Sequence, residues 1–453
     1  MERPTPSLSS ALYERAAWML RSPFHRVMWF LATTIGFVLS LVRALRCKPR
    51  GKDRFSVVNF EREARQLAQS PQGGDFADGF HRQAIPIIVD SFLHSEMREF
   101  VVALPFARTL EKKLRIERAF AALPHTRPLP RPIFIVGLPR TGSTLLHQLC
   151  GLDPRARAVR AWEFKMPVES SDAPRDKAER VRKVQGVLDV FYRLAPRIKA
   201  VHLVAATDPD ECVQGYLDCV LPEMYCWGAV DADEAFDWFT RSDMTPMLRN
   251  YRRLLDVVLA NDDAAAVAKQ WSHLVLKSPH HTWKLQDLHR AFPEAHFVWI
   301  HRDPVSTVGS TCSMNEAILD ATSARFVHPH VLGWRTAERL ASCLEKGLRD
   351  RAAMPASRFV DVYYDDLKRD PLATLSAMYS ALGLDGALSP EFQAAVQAHV
   401  SPAEMRSWQS HMYTLDHFGL DAEAIRRRFS FYYAAGHVNK HTSIGSNETR
   451  KNR

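Results

Sequence analysis

The chain is poor in the features that mark several large functional classes. Its 453 residues hold seven cysteines, an odd number, with no Cys-x-x-Cys pair and no matching histidine spacing. This excludes a zinc ribbon or a disulfide-framed scaffold, and a reducing compartment fits best. Cys212, Cys219 and Cys226 recur every seven residues, a spacing that reads as one packed helix face. The net charge is +9, yet the folded part has no long Lys/Arg run and no basic-aromatic repeat. Nucleic acid is therefore not an expected partner. The charge suits an anionic ligand or an anionic membrane surface. No internal repeat is present, and hydrophobic (46%) and charged (25%) fractions are those of a globular chain.

Long apolar runs are also missing. Residues 27–42 are uncharged, but they number 16, short of the roughly 20 that span a bilayer. No small-residue cleavage site follows them. Arg43, Arg46, Lys48, Arg50, Lys52 and Arg54 come next, a denser basic flank than Arg3, Arg15, Arg21 and Arg26 on the other side. A spanning segment with these flanks keeps its following domain in the cytosol. A short anchor in a single-pass protein, an interfacial helix and a buried helix all remain open. Residues 1–54 are thus a hydrophobic and basic segment. Residues 55–127 read as a helical cap region, with apolar periodicity through 85–104, and they end in the proline-rich linker Pro124, Pro128, Pro130 and Pro132. Residues 128–400 form an α/β catalytic domain. Residues 401–453 form an extension whose aromatics, Trp408, Phe418, Phe429, Phe431, Tyr432 and Tyr433, pack back on the core or fold over the site, with a disordered end. The sequon Asn447-Glu448-Thr449 lies in that polar end and carries little weight.

The chemistry concentrates in 131–151, RPIFIVGLPRTGSTLLHQLCG. The apolar run 133–136 predicts a buried parallel strand, Leu145, Leu146 and Leu149 a helix, and Gly137–Thr144 the loop between them. Such a strand-loop-helix unit points converging N–H groups and a helix N-terminus at one place, an anion site. The glycines fit the first six positions of the nucleoside-triphosphate loop. The next position is Ser143 where that loop needs lysine, and the cation sits earlier, at Arg140. No obvious Mg²⁺ carboxylate follows a second strand, so a triphosphatase is a poor fit. A single phosphate carrying a transferable group fits better.

Two further strand ends carry cations. His273–Lys277 predicts a strand ending on Lys277, with Ser278-Pro279-His280-His281 capping the next helix. Residues 295–300 predict another, running into His301-Arg302-Asp303-Pro304 and a helix that holds Ser310. Arg140, Lys277 and Arg302 on one sheet edge suit an anion with two separated phosphate groups. A fourth strand spans 358–364, and Asp370-Pro371 starts a helix closed by Gly383. Glu163, the one carboxylate in the short run 158–164 that follows the loop-helix unit, is a candidate general base, or else a salt-bridged glutamate beside Arg160. Residues 207–211, Thr-Asp-Pro-Asp-Glu, read as a helix start with no function. Trp227, Phe236, Trp238 and Phe239 either line an apolar acceptor pocket or are core.

Together these motifs resemble the superfamily of sulfotransferases that use 3′-phosphoadenosine-5′-phosphosulfate (PAPS), over about 128–385, and its broad bacterial-type branch more than its cytosolic phenol branch. The resemblance implies a P-loop-like three-layer α/β fold around a parallel sheet, with PAPS as co-substrate and no metal. It implies that Arg140, Thr141, Gly142, Ser143 and Thr144 form the 5′-phosphosulfate loop and that Arg302 and Ser310 bind the 3′-phosphate. Tyr364, in Tyr-Asp-Asp-Leu, would lie by the adenine. Lys277-Ser-Pro-His280 resembles a strand-end Lys-x-His with one extra residue, and Glu163 falls where some branches place a catalytic glutamate. The expected reaction is metal-free, in-line sulfuryl transfer to a hydroxyl, less readily an amine, of a small-molecule, lipid, sterol or carbohydrate acceptor. Glu163 is the first base, His280 the second, and Arg140 and Lys277 stabilise charge. An ATP-dependent kinase of P-loop type and a non-catalytic membrane-associated nucleotide-binding protein are the rival readings. The expected location is the cytoplasm, on the cytosolic face of a membrane.

Overall fold

The computed structural model describes residues 112, 115–123, 128–168, 176–217, 233–262, 271–322, 327–401 and 413–438. Five strands, β1 (Arg131–Val136), β2 (Ala156–Ala158), β3 (His273–Lys277), β4 (His296–His301) and β5 (Phe359–Tyr363), form one sheet in the order β2-β3-β1-β4-β5. Every pairing is parallel. Parallel pairing requires crossovers, and these bury both faces, which is why β1, β3 and β4 read as near-continuous apolar runs.

The crossovers are helical. In chain order they are α1 (Ser143–Cys150), α2 (Ala161–Lys165), α3 (Lys177–Leu194), α4 (Pro196–Val201), α5 (Val213–Leu217), α6 (Asp233–Arg241), α7 (Thr245–Ala260) and α8 (Leu285–Ala291). Then follow α9 (Pro304–Thr322), α10 (Pro329–Ala352), α11 (Tyr364–Arg369), α12 (Pro371–Ala381), α13 (Pro390–His399), α14 (Ala422–Arg428) and α15 (Ser430–Ala434).

Strand alternation divides the interior into two cores. Phe134, Val136, Leu274, Leu276, Phe297 and Trp299 pack on one face with α7, α8 and α10. Ile133, Ile135, Val275, Val298, Ile300 and Val362 pack on the other with α1, α12 and α13. The result is the three-layer α/β architecture expected. A third, smaller cluster joins Trp162, Val184, Tyr192, Ile198, Val201 and Ala317, tying α3 and α4 to α9.

Several local expectations hold. Asp370 caps α12 through the Ala373 N–H, and Gly383, at φ 66°, ends it while the Leu384 N–H donates back to the Tyr379 carbonyl. Cys150, Cys212, Cys312 and Cys343 are buried free thiols; Cys212 lies in the first core, in the turn before Val213 and not on a helix face. Phe239 is in that core as well, and Phe236 packs edge-on against Trp283. Of the tail, Phe418, Phe429 and Tyr432 are buried in the same core. Residues 27–42, most of 55–127, Cys219, Cys226, Trp227, Trp408 and the sequon lie outside the described residues. No described helix is long and apolar enough to cross a membrane.

Candidate active site

The register brings the strand ends level. Ile135 pairs with Lys277, Val136 with Trp299 and His301 with Tyr363, so the residues leaving β1, β3, β4 and β5 meet on one edge. Between β1 and α1 the chain makes three left-handed steps, at Gly137 (φ 131°), Arg140 (φ 64°) and Gly142 (φ 89°). A Cβ on Gly137 would stand 2.5 Å from the Ile300 carbonyl oxygen, and one on Gly142 would stand 2.6 Å from Cδ2 of Tyr364. Both glycines are therefore required by close approach as well as by φ. The Thr282 hydroxyl accepts from the Gly137 N–H at 2.8 Å and donates to the Gly137 carbonyl at 3.0 Å, clamping the loop to the 3₁₀ turn that follows β3. Gly142 caps α1 with no side chain on the cap, which leaves the first-turn N–H groups of the helix directed into the loop.

Arg140 adopts the left-handed conformation without being glycine, at a cost of about 1–2 kcal/mol. Its surroundings hold it there. Its carbonyl accepts from Arg302 Nη1 at 2.7 Å, its Nε donates to Ser310 Oγ at 3.0 Å, and its Nη1 donates to the Val201 carbonyl at 2.9 Å. The two expected phosphate elements are thus joined directly. Burial, and then the charge of Arg302, holds the Arg140 guanidinium below its ordinary pKa. The Arg302 guanidinium lies 4.1 Å over the Tyr364 ring.

Lys277 is buried at the other side of the loop. Its Nζ donates to Thr144 Oγ1 at 3.2 Å and to Glu211 Oε1 at 2.5 Å. Glu211 comes from the segment that joins α4 to α5, and the Cys212 N–H fastens that segment to the Lys277 carbonyl at 2.8 Å. Burial alone would raise the Glu211 pKa. Lys277, then His202, the Lys277 hydrogen bond and His280 outweigh it and bring it down to about 2. His280 follows in the 3₁₀ turn Pro279–Trp283, its Nδ1 3.0 Å from Ser278 Oγ. Burial lowers its pKa to about 4, opposed by Glu211, so the ring is neutral at pH 7.

Glu163 and the run 207–211 find partners that the sequence did not suggest. Glu163 does not join this cluster by any contact among the described residues. Its carboxylate takes Arg157 Nη2 at 2.5 Å and Nη1 at 3.0 Å, and the Arg160 N–H at 2.8 Å. Asp262 shares the same Arg157, at 2.9 and 3.2 Å. Glu163 is salt-bridged to Arg157, with Arg160 contributing only its backbone. The run 207–211 is not a helix start either: α5 begins at Val213. Asp208 instead accepts from the Ala205 N–H, the Asp210 N–H donates to the Val159 carbonyl, and Glu211 goes to Lys277.

The tail completes the Arg302 side. Tyr413 donates to the Ser306 carbonyl, Tyr433 to Asp303 Oδ1, and the Tyr432 hydroxyl bonds His301 Nδ1 at 2.6 Å. His301, Asp361 and His437 place ligand-type atoms within 4.8 Å of one another. The two imidazoles, however, stack in parallel at 4.7 Å and 6°, so their in-plane lone pairs do not converge, and Arg351 binds both Asp361 oxygens.

A sequence model described as the Sulfotransferase family matches residues 132–388, more than half the chain. The chain belongs to the sulfotransferase family. Among curated proteins it is 24% identical over 262 residues to the ω-hydroxy-β-dihydromenaquinone-9 sulfotransferase Stf3 of Mycobacterium bovis and to that of Mycobacterium tuberculosis. The match takes in 56% of this chain and 63% of each relative, so less than two thirds of the relatives' length is spanned. Among solved structures, sulfotransferase STF1 of M. tuberculosis H37Rv superposes with a TM-score of 0.66 at 25% identity, over 84% of this chain and all of that one. Sulfotransferase STF9 of Mycobacterium avium gives 0.68 at 21% identity, over 85% and 98%, a likeness of fold.

Proposed function

We propose that this sulfotransferase-family chain moves the sulfuryl group of PAPS to a hydroxyl-bearing acceptor. The observation that carries the reading is the bond from Arg140 to Ser310, with Arg302 beside it. It links the loop at the end of β1 to the start of α9, two anion-binding elements held at a set separation. PAPS carries anionic groups at both of its ends and is consumed as a substrate. Arg140, Lys277 and the α1 N-terminus suit the 5′-phosphosulfate, Arg302 and Ser310 the 3′-phosphate, and Tyr364 offers a ring for the adenine. Binding energy at the 3′-phosphate orients the transferring sulfur, and the loop's fixed dipoles favour the charge that grows on the leaving phosphate.

The acceptor we propose is the hydroxyl of a lipid-like or glycolipid molecule met at a membrane surface. The basic flanks of residues 27–42 support it, as does the hydroxylated compound for which the Stf3 relatives are named. Calorimetry with adenosine 3′,5′-bisphosphate, with Mg²⁺-ATP and 5′-AMP as controls, tests the donor. Binding of the bisphosphate alone, weakened in Arg302→Ala, is expected. Preference for Mg²⁺-ATP would return the reading to a kinase, and bisphosphate binding with no sulfate release from PAPS would make the chain a binding protein.

A further inference from the structure

Among the described residues, Glu211 is the carboxylate bonded to Lys277 beside the loop. Its side chain keeps 17% of its accessible surface, whereas Glu163 keeps 8% and is closed off by Arg157. Its oxygen lies 2.5 Å from Lys277 Nζ, which itself lies 3.2 Å from Thr144 at the first turn of α1. An anion seated in the loop therefore meets the ammonium that Glu211 now holds. We propose that Glu211 is the proton acceptor of the reaction and that donor binding arms it by drawing Lys277 away. This rests on the sulfuryl-transfer reading above.

The acceptor oxygen forms a bond to sulfur as the bond from sulfur to the bridging phosphate oxygen breaks. The electron pair of that bond leaves on adenosine 3′,5′-bisphosphate, and the hydroxyl proton passes to the Glu211 carboxylate. In the free protein Glu211 is a weak base, because the charge of Lys277 holds its proton affinity down. The other groups acting on it are His202 and His280, while Arg140, His147 and His281 feel its charge from the loop, α1 and the 3₁₀ turn, and Asp210 adjoins it. Once Lys277 turns to the donor, burial acts with less opposition and the proton affinity of Glu211 rises. The ion pair also keeps the base unarmed until a donor is in place.

Two readouts on the full chain test this, and neither needs the acceptor. The first is proton exchange on binding PAPS at pH 5, from calorimetry in buffers of different ionisation enthalpy. Wild type is expected to take up a fraction of a proton more than Glu211→Gln. The second is sulfate release from PAPS with water as acceptor. It should fall at least 30-fold in Glu211→Gln, with PAPS affinity unchanged or up to threefold tighter, and recover in part in Glu211→Asp. Equal proton uptake in wild type and Glu211→Gln would overturn the proposal. So would sulfate release within threefold of wild type, or a loss of PAPS affinity parallel to the loss of rate, which would make Glu211 only a support for Lys277. Failure of wild type to bind PAPS at all would instead overturn the sulfuryl-transfer reading.

Discussion

Glu163→Gln separates a structural glutamate from a catalytic one. The wild-type carboxylate receives two bonds from Arg157 and one from the Arg160 N–H, and the ion pair is buried on both sides. Burial alone would lower the Arg157 pKa, but Glu163 and Asp262 push it above its ordinary value. Glutamine keeps one acceptor and turns an NH₂ toward the guanidinium or the Arg160 N–H. Removing one partner of a buried pair costs about 3–5 kcal/mol, and the second carboxylate, Asp262, reduces this to about 2–3 kcal/mol. At about 2 °C per kcal/mol for a large chain, Tm should fall by about 5 °C. Bisphosphate affinity and sulfate release should stay within about threefold of wild type at 20 °C. Thermal denaturation, calorimetry and sulfate release on one preparation make the comparison. An unchanged Tm with a 100-fold slower release would refute the reasoning and return Glu163 to the reacting atoms.

Three further outcomes are expected. Arg302→Ala removes a charge-assisted donor worth about 1.5–3 kcal/mol, so bisphosphate affinity should drop about 10- to 100-fold by calorimetry; a change under threefold would remove Arg302 from the donor site. Gly142→Ala places a Cβ 2.6 Å from Tyr364 at φ 89°, and it should destabilise the fold by about 1–3 kcal/mol in guanidinium titrations and abolish bisphosphate binding. The pKa values of His147 and His281 fall to about 3 and those of His273 and His280 to about 4, in each case chiefly through burial. Lowered histidine values stabilise the fold fully above the unfolded value near 6.5, and this is lost as pH falls toward 4. Each ring then gives up about 1.4 kcal/mol per pH unit at most. Unfolding midpoints should drop steeply between pH 6.5 and 5, ahead of any contribution from Glu211, whose window lies below its ordinary value near 4.5. A flat profile there would show that these rings protonate without cost.

Much of the fold was legible because its signals are local. A parallel strand buried on both faces reads as an apolar run, so β3 falls at its expected bounds, and β1 and β4 differ by a residue or two at their ends. The loop at 137–142 was legible for a related reason. Left-handed steps favour glycine, and the spacing of Gly137 and Gly142 records two of them. Arg140, the third, gives no local sign, since only the bonds to Arg302, Ser310 and Val201 keep it there.

Carboxylate roles were not legible, because a carboxylate takes its role from its partner. Glu163 lies in α2 and Glu211 in the segment between α4 and α5, and both invite a local explanation, an arginine nearby for one and a helix start for the other. Lys277, the partner of Glu211, is 66 residues away in sequence; Arg157, the partner of Glu163, is six away, but it is fixed in turn by Asp262, 105 residues further on. The sequence alone determined the sheet's strands, the loop's turns and the cations at its edge, since backbone sterics and apolar periodicity act between neighbours. Only the tertiary structure decided which glutamate meets Lys277 and that the tail's Tyr432 and Tyr433 close on His301 and Asp303, since hydrogen bonds and ion pairs form between whatever groups the packed layers bring within about 3 Å.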